Sequence, residues 1–134
     1  AASHRSQSLY DQDLHSPDLI LVMTRGHRRE LLDLVPARLR SVFTIREFAR
    51  LAAKLSDAQL AAAAAQVGPD PSARLRAAVA LVAAGRGMAP ADPTEDDVID
   101  PYRQGWDTYQ LTAGQLVPAV EQVVRVVRLA VPVA

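Results

Sequence analysis

At 134 residues the chain is one domain by length and long enough to bury a core. Its 15 basic and 15 acidic side chains cancel, which excludes the global positive field that a basic nucleic-acid binder or an anionic-membrane binder relies on. With no cysteine, disulfides, thiolate metal sites and thiol nucleophiles are excluded within these residues.

No run approaches the roughly eighteen apolar residues of a membrane span, and no charged start followed by an apolar stretch reads as a secretory leader. The expectation is a cytoplasmic protein with neither a membrane nor a nucleic-acid partner. The chain begins at Ala1 rather than at a methionine, which reads as a trimmed or partial chain.

In chain order, Ala1 to Pro17 is polar, with a short helix expected at "SQSLYDQDL" because Leu9, Tyr10 and Leu14 recur about one turn apart. "DLILVM" follows, with Leu19 to Met23 uninterrupted and apolar. A run this short without alternation fits a strand buried on both faces, as inside a parallel sheet. In "TRGHRRELLDLV" Thr24 can cap a helix whose Leu31, Leu32, Leu34 and Val35 form a stripe opposite Arg25, Arg28 and Arg29. Pro36 ends or kinks that helix. Val42 to Ile45 read as a second parallel strand, after which Phe48, Leu51, Ala52 and Leu55 carry helical spacing.

The alanine-rich stretch from Ser56 to Gly87 reads as two helical pieces, broken at Gly68 to Pro71 and restarted near Ser72 as a cap. Gly85 to Pro93 is a loop by its glycines and prolines. In "TYQLTAGQLVPAVEQVVRVVRLAV" the residues Leu116, Val120, Val123, Val124 and Val127 recur at helical intervals, and Pro118 predicts a kink near Val117. The sum is an α/β domain over residues 1–134. Two strands are too few for a parallel sheet, so a neighbour of "DLILVM" is missing.

Four groups of residues invite a chemical reading. In "VIDPYRQGWDTYQ" the proline holds Asp100 extended on a rigid loop, among Tyr102, Trp106 and Tyr109. Aromatic surroundings would raise its pKa toward that of a general acid; the plain alternative is a turn whose aromatics cover the start of the last helix. Asp92, Glu95, Asp96, Asp97 and Asp100 are dense enough to suggest a hard cation, but they match no calcium-loop spacing and read as a solvated, helix-capping loop. Arg25, His27, Arg28 and Arg29 could hold an anion at a helix start, or simply form a solvated face. His4, His15 and His27 lack metal-ligand spacing, and no Gly-rich phosphate loop is present, so neither metal nor cofactor is expected.

Taken together, "PDLILVMTRGHRREL", "VFTIREFARLAA" and "DPYRQGWDTYQ" followed by a long helix resemble, in order and spacing, the C-terminal portion of the low-molecular-weight protein tyrosine phosphatases. "SHRSQSL", at Ser3 to Leu9, is similar to the segment before that family's third strand. The resemblance spans the chain but only the last two-thirds to three-quarters of the family's domain. It implies a four-stranded parallel sheet of order 2-1-3-4 in a three-layer αβα domain, of which strands 3 and 4 and their helices are here. It implies Asp100 as the proton donor to the leaving tyrosine oxygen and Tyr102 at the rim of the substrate cleft, with phosphotyrosine proteins as substrates. The family's C-x5-R loop, with its nucleophilic cysteine and phosphate-binding arginine, has no counterpart in these residues. The chain alone is therefore expected to be inactive, and to self-associate through the exposed strand at Leu19–Met23. A non-catalytic interaction module and an arsenate-reductase-like relative are the alternatives.

Overall fold

The computed structural model describes residues 18–87, 93–99 and 106–132. The short N-terminal helix expected within Ala1 to Pro17 lies outside the described residues. The chain is mixed α/β and mostly helical. It runs β1 (Ile20–Val22), α1 (Arg25–Leu34), a 3-10 turn (Pro36–Arg38), β2 (Val42–Thr44), α2 (Ile45–Ala52), α3 (Asp57–Ala65), α4 (Pro71–Ala83), a second 3-10 turn (Pro93–Asp96) and α5 (Trp106–Ala130). No helix among the described residues is long and apolar enough to cross a membrane.

The two strands pair in parallel, with Ile20 opposite Val42, Leu21 opposite Phe43 and Val22 opposite Thr44. Sequence pattern made "DLILVM" the doubly buried strand, and the structure corrects this. β1 is half-buried throughout, whereas all three residues of β2 are fully buried. β2 passes directly into α2, whose Phe48 and Leu51 fold back over it, and Phe43 meets Phe48 edge to face at 5.2 Å. Among the described residues no strand covers the other edge of β1.

Hydroxyls and carboxylates start the helices. Thr24 Oγ1 accepts the His27 N–H at 3.1 Å and Thr44 Oγ1 the Glu47 N–H at 3.0 Å, so the second strand ends one residue sooner than expected and Ile45 opens α2. Ser56 and Gln59 form a reciprocal capping box on α3. α4 is capped by Asp70 with Pro71 at its first position, not by Ser72. A proline has no N–H to lose there, and the Ser72 hydroxyl instead donates to Asp18 at 2.7 Å.

The main core gathers Phe43, Phe48 and Leu51 with Leu60, Val79, Val82 and Val126, and the alanines of α3 and α4 let these helices approach α5 closely. Arg125 of α5 ties the layer together. It reaches Asp57 at 2.7 Å and donates to the Ala52 carbonyl at 3.1 Å, satisfying an acceptor at the C-terminal end of α2. α5 stays helical through Pro118, which lacks the N–H that would bond the Gly114 carbonyl. Of the residues at helical intervals, Leu116 and Val123 are half-buried against the core. Thr112, Ala119, Val126 and Ala130 are buried, while Val120, Val124 and Val127 are exposed.

Candidate functional site

The carboxyl ends of parallel strands are where open α/β sheets place their ligands, because helix N-termini and loops converge there. Here that end is formed by Met23, Thr24 and His27 after β1, by Val98 and Ile99, and by Thr112 and Leu116 of α5. Together they line a mostly apolar cavity of about 430 Å³.

The Val98–Ile99 segment is held by three hydrogen bonds. The Val98 N–H donates to the Met23 carbonyl at 2.9 Å, extending the end of β1. The Ile99 N–H donates to Gln115 Oε1 at 2.9 Å, and Thr112 Oγ1 donates to the Ile99 carbonyl at 2.9 Å. Val98 is buried with Ile45 and Ala119 in a second, smaller core cluster. The chain is thus fixed up to the residue before Asp100. Asp100 and Tyr102 themselves lie outside the described residues. Trp106, expected near them, opens α5 and is largely exposed.

In the acidic loop before this segment Glu95 is exposed and Asp92 lies outside the described residues, while Asp96 and Asp97 are engaged by arginines, Asp97 also capping α1 as a helix-capping loop would. Asp96 is buried and receives Arg50 Nε at 3.2 Å and Nη2 at 3.3 Å. Asp97 Oδ1 accepts the Arg25 N–H at 2.8 Å, at the first turn of α1, and its carboxylate also takes the Arg25 guanidinium. The Arg25 side-chain bond, helped by its N–H and by the charges of Arg25 and Arg28, holds the Asp97 carboxyl below its ordinary range despite partial desolvation. Arg46 donates to the Asp97 carbonyl at 2.8 Å. These carboxylates are therefore fasteners, and no group of His, Asp or Glu among the described residues is arranged to hold a metal.

Two members of the cluster at the start of α1, Arg25 and Arg28, are likewise spent internally, while His27 and Arg29 are exposed. Arg28 Nη1 meets Glu47 Oε1 at 2.7 Å, and Arg86 Nε meets Glu47 Oε2 at 3.1 Å. Arg86 also stacks over the Phe43 ring at 4.1 Å and donates to the Leu39 and Val42 carbonyls. A cleft of about 610 Å³ runs past Arg25, Arg28, Arg29 and Arg86, but three of those four cations already hold a carboxylate. Glu47 is the residue that sequence reasoning overlooked. The T-x-x-E spacing from Thr44 marks it as a helix-start glutamate, yet its carboxylate turns away from the cap to bind two arginines remote in sequence.

Protein-family models, curated proteins and solved structures were each compared with the chain, and none matches.

Proposed function

We propose that this chain is the C-terminal part of a low-molecular-weight-type protein tyrosine phosphatase domain, with β1 and β2 as the third and fourth strands of the complete sheet. In that domain an upstream C-x5-R loop supplies the cysteine thiolate that attacks phosphorus. Asp100 gives its proton to the departing tyrosine oxygen, then takes one from the water that cleaves the cysteinyl-phosphate. Tyr102 flanks the phenyl ring. The chain alone has no nucleophile and turns over nothing.

One observation carries the reading: Val98, two residues before Asp100, is hydrogen-bonded to Met23 at the carboxyl end of β1, with Ile99 pinned by Gln115 and Thr112. A general acid needs a rigid approach to the sheet end where a phosphate loop would stand. The uncovered edge of β1 also suits a further parallel strand, or a second copy paired through Leu19–Met23.

The test is the reading frame upstream of Ala1. A strand followed by C-x5-R, and hydrolysis of p-nitrophenyl phosphate by the joined protein, is the expected result. A stop codon or unrelated sequence overturns it and favours a non-catalytic cytoplasmic interaction module, the second reading, for which the exposed valines of α5 speak.

A further inference from the structure

We propose that α5 is a dimerisation helix, packing antiparallel against α5 of a second copy of this chain through the exposed line Val117, Val120, Val124 and Val127, with reciprocal Glu121–Arg128 ion pairs across the seam.

α5 has two apolar sides. One, carrying Thr112, Ala119, Val126 and Ala130, is buried against the body of the protein. About a quarter turn away run Ala113, Val117, Val120, Val124 and Val127, separated alternately by four and three residues; the same spacing leads on to Val131, which lies just past the helix end and is half-buried against the main core. Alternating spacing of this kind keeps a narrow stripe aligned along a straight seam, as in a coiled coil. The four valines from Val117 to Val127 are 37 to 56% exposed, and Trp106, at the same angle around the helix, is 73% exposed. Single exposed valines are ordinary, but a continuous line of them is a surface with a missing partner.

Charge identifies that partner as a second copy. Glu121 and Arg128 flank the stripe on one side, seven residues apart, both exposed and neither in an ion pair among the described residues. An antiparallel copy with Val124 opposite Val127, and Val120 opposite Val131, brings Glu121 of each chain to Arg128 of the other, and two-fold symmetry makes the pair twice. Sliding by one heptad, so that Val120 faces Val124, would set the two Glu121 carboxylates together at the axis. A parallel pair would turn Glu121 toward the apolar Leu116 and Val123 flank. Only the antiparallel register satisfies both the valines and the charges.

The experiment is sedimentation equilibrium on the whole chain, with circular dichroism as the control for folding. A dimer is expected, and Val124→Glu should weaken it by about a hundredfold because a charge enters the seam. Glu121→Arg and Arg128→Glu should each weaken it by about tenfold, and the two together should restore it, since the swap rebuilds both pairs. All three positions are exposed in the protomer, so folding is preserved. The cysteine-free chain also allows a direct reading of direction. A mixture of Val120→Cys and Val131→Cys variants should form a mixed disulfide on oxidation, and Val120→Cys alone should not. A monomer at high micromolar concentration, a dimer indifferent to Val124→Glu, or a disulfide through Val120→Cys alone would overturn the proposal. So would a monomer whose valine face is protected by an added upstream segment.

Discussion

The Asp97 carboxylate takes the backbone N–H of Arg25 at 2.8 Å and, at 3.2 Å on each oxygen, the Nε and Nη2 of the same arginine. One acidic side chain from a distant loop thereby starts α1 and neutralises its first residue. This fixes the loop leading to Val98 against the carboxyl end of β1.

That contact makes stability dependent on pH in a defined direction. The Arg25 hydrogen bond holds the folded carboxyl below its ordinary value of 3.8, so between the two values the unfolded chain binds more protons and stability rises with pH. The contribution is complete above the ordinary value and is lost as pH falls below it through the folded one. Urea midpoints measured from acid to neutral pH should therefore fall less steeply on acidification in Asp97→Asn than in the parent. At neutral pH Asp97→Ala should cost about 1 kcal/mol, the worth of a helix-start acceptor. Parallel acid limbs in the two proteins would remove Asp97 from this role.

Glu47 is 5% exposed and joins Arg28 to Arg86 across three elements. Removing it leaves two guanidinium groups facing each other without a counter-charge. Glu47→Ala should lower unfolding stability by about 3 kcal/mol, read as a lower urea midpoint with an unchanged slope. Glu47→Gln keeps the shape and an acceptor oxygen and should cost less.

Phe48 is fully buried, edge-on to Phe43, at the point where β2 becomes α2. Phe48→Ala should cost about 3–5 kcal/mol through lost transfer energy and the cavity it leaves. A loss under about 1 kcal/mol would mean that the core closes over the gap, contrary to the close packing described here.

Gly114 lies inside α5 with open space where a Cβ would stand. Gly114→Ala should stabilise the protein by about 0.5–1 kcal/mol, chiefly by reducing the freedom of the unfolded chain. A thermal melt shifted upward by a few degrees is the expected result.

For the complete phosphatase domain, Asp100→Ala should slow turnover of a phosphotyrosine peptide by about 10²- to 10⁴-fold. Near-normal turnover in that variant would remove Asp100 from proton transfer. The present chain, with or without the change, should release no phosphate.

Local signals were legible in the letters. Thr24 before "RGHRRELL" satisfies a helix start within one turn and Pro36 stops that helix, whereas Thr44, read as part of a strand through Ile45, caps α2 instead. The parallel pairing of two short apolar runs follows from the helix between them. The Ser56–Gln59 capping box could also have been read from its spacing. Periodicity could not tell which of the two apolar stripes of α5 faces inward. Both have helical spacing, and the alanines that let α3 and α4 approach decide in favour of Ala119, Val126 and Ala130.

By itself the sequence determined the mixed α/β class, the order of the strands and α-helices among the described residues and the lack of a thiol in them, since each depends on residue type and spacing within a few turns. Tertiary structure alone decided that Asp96, Asp97 and Glu47 fasten arginines instead of facing water, and that β2 rather than β1 is the buried strand. It also decided that Val117, Val120, Val124 and Val127 of α5 face outward while Val126 faces the core. The physical reason is that a carboxylate's partner and a side chain's burial are set by what folding brings alongside from 19 to 72 residues away, and one-dimensional spacing carries no record of that.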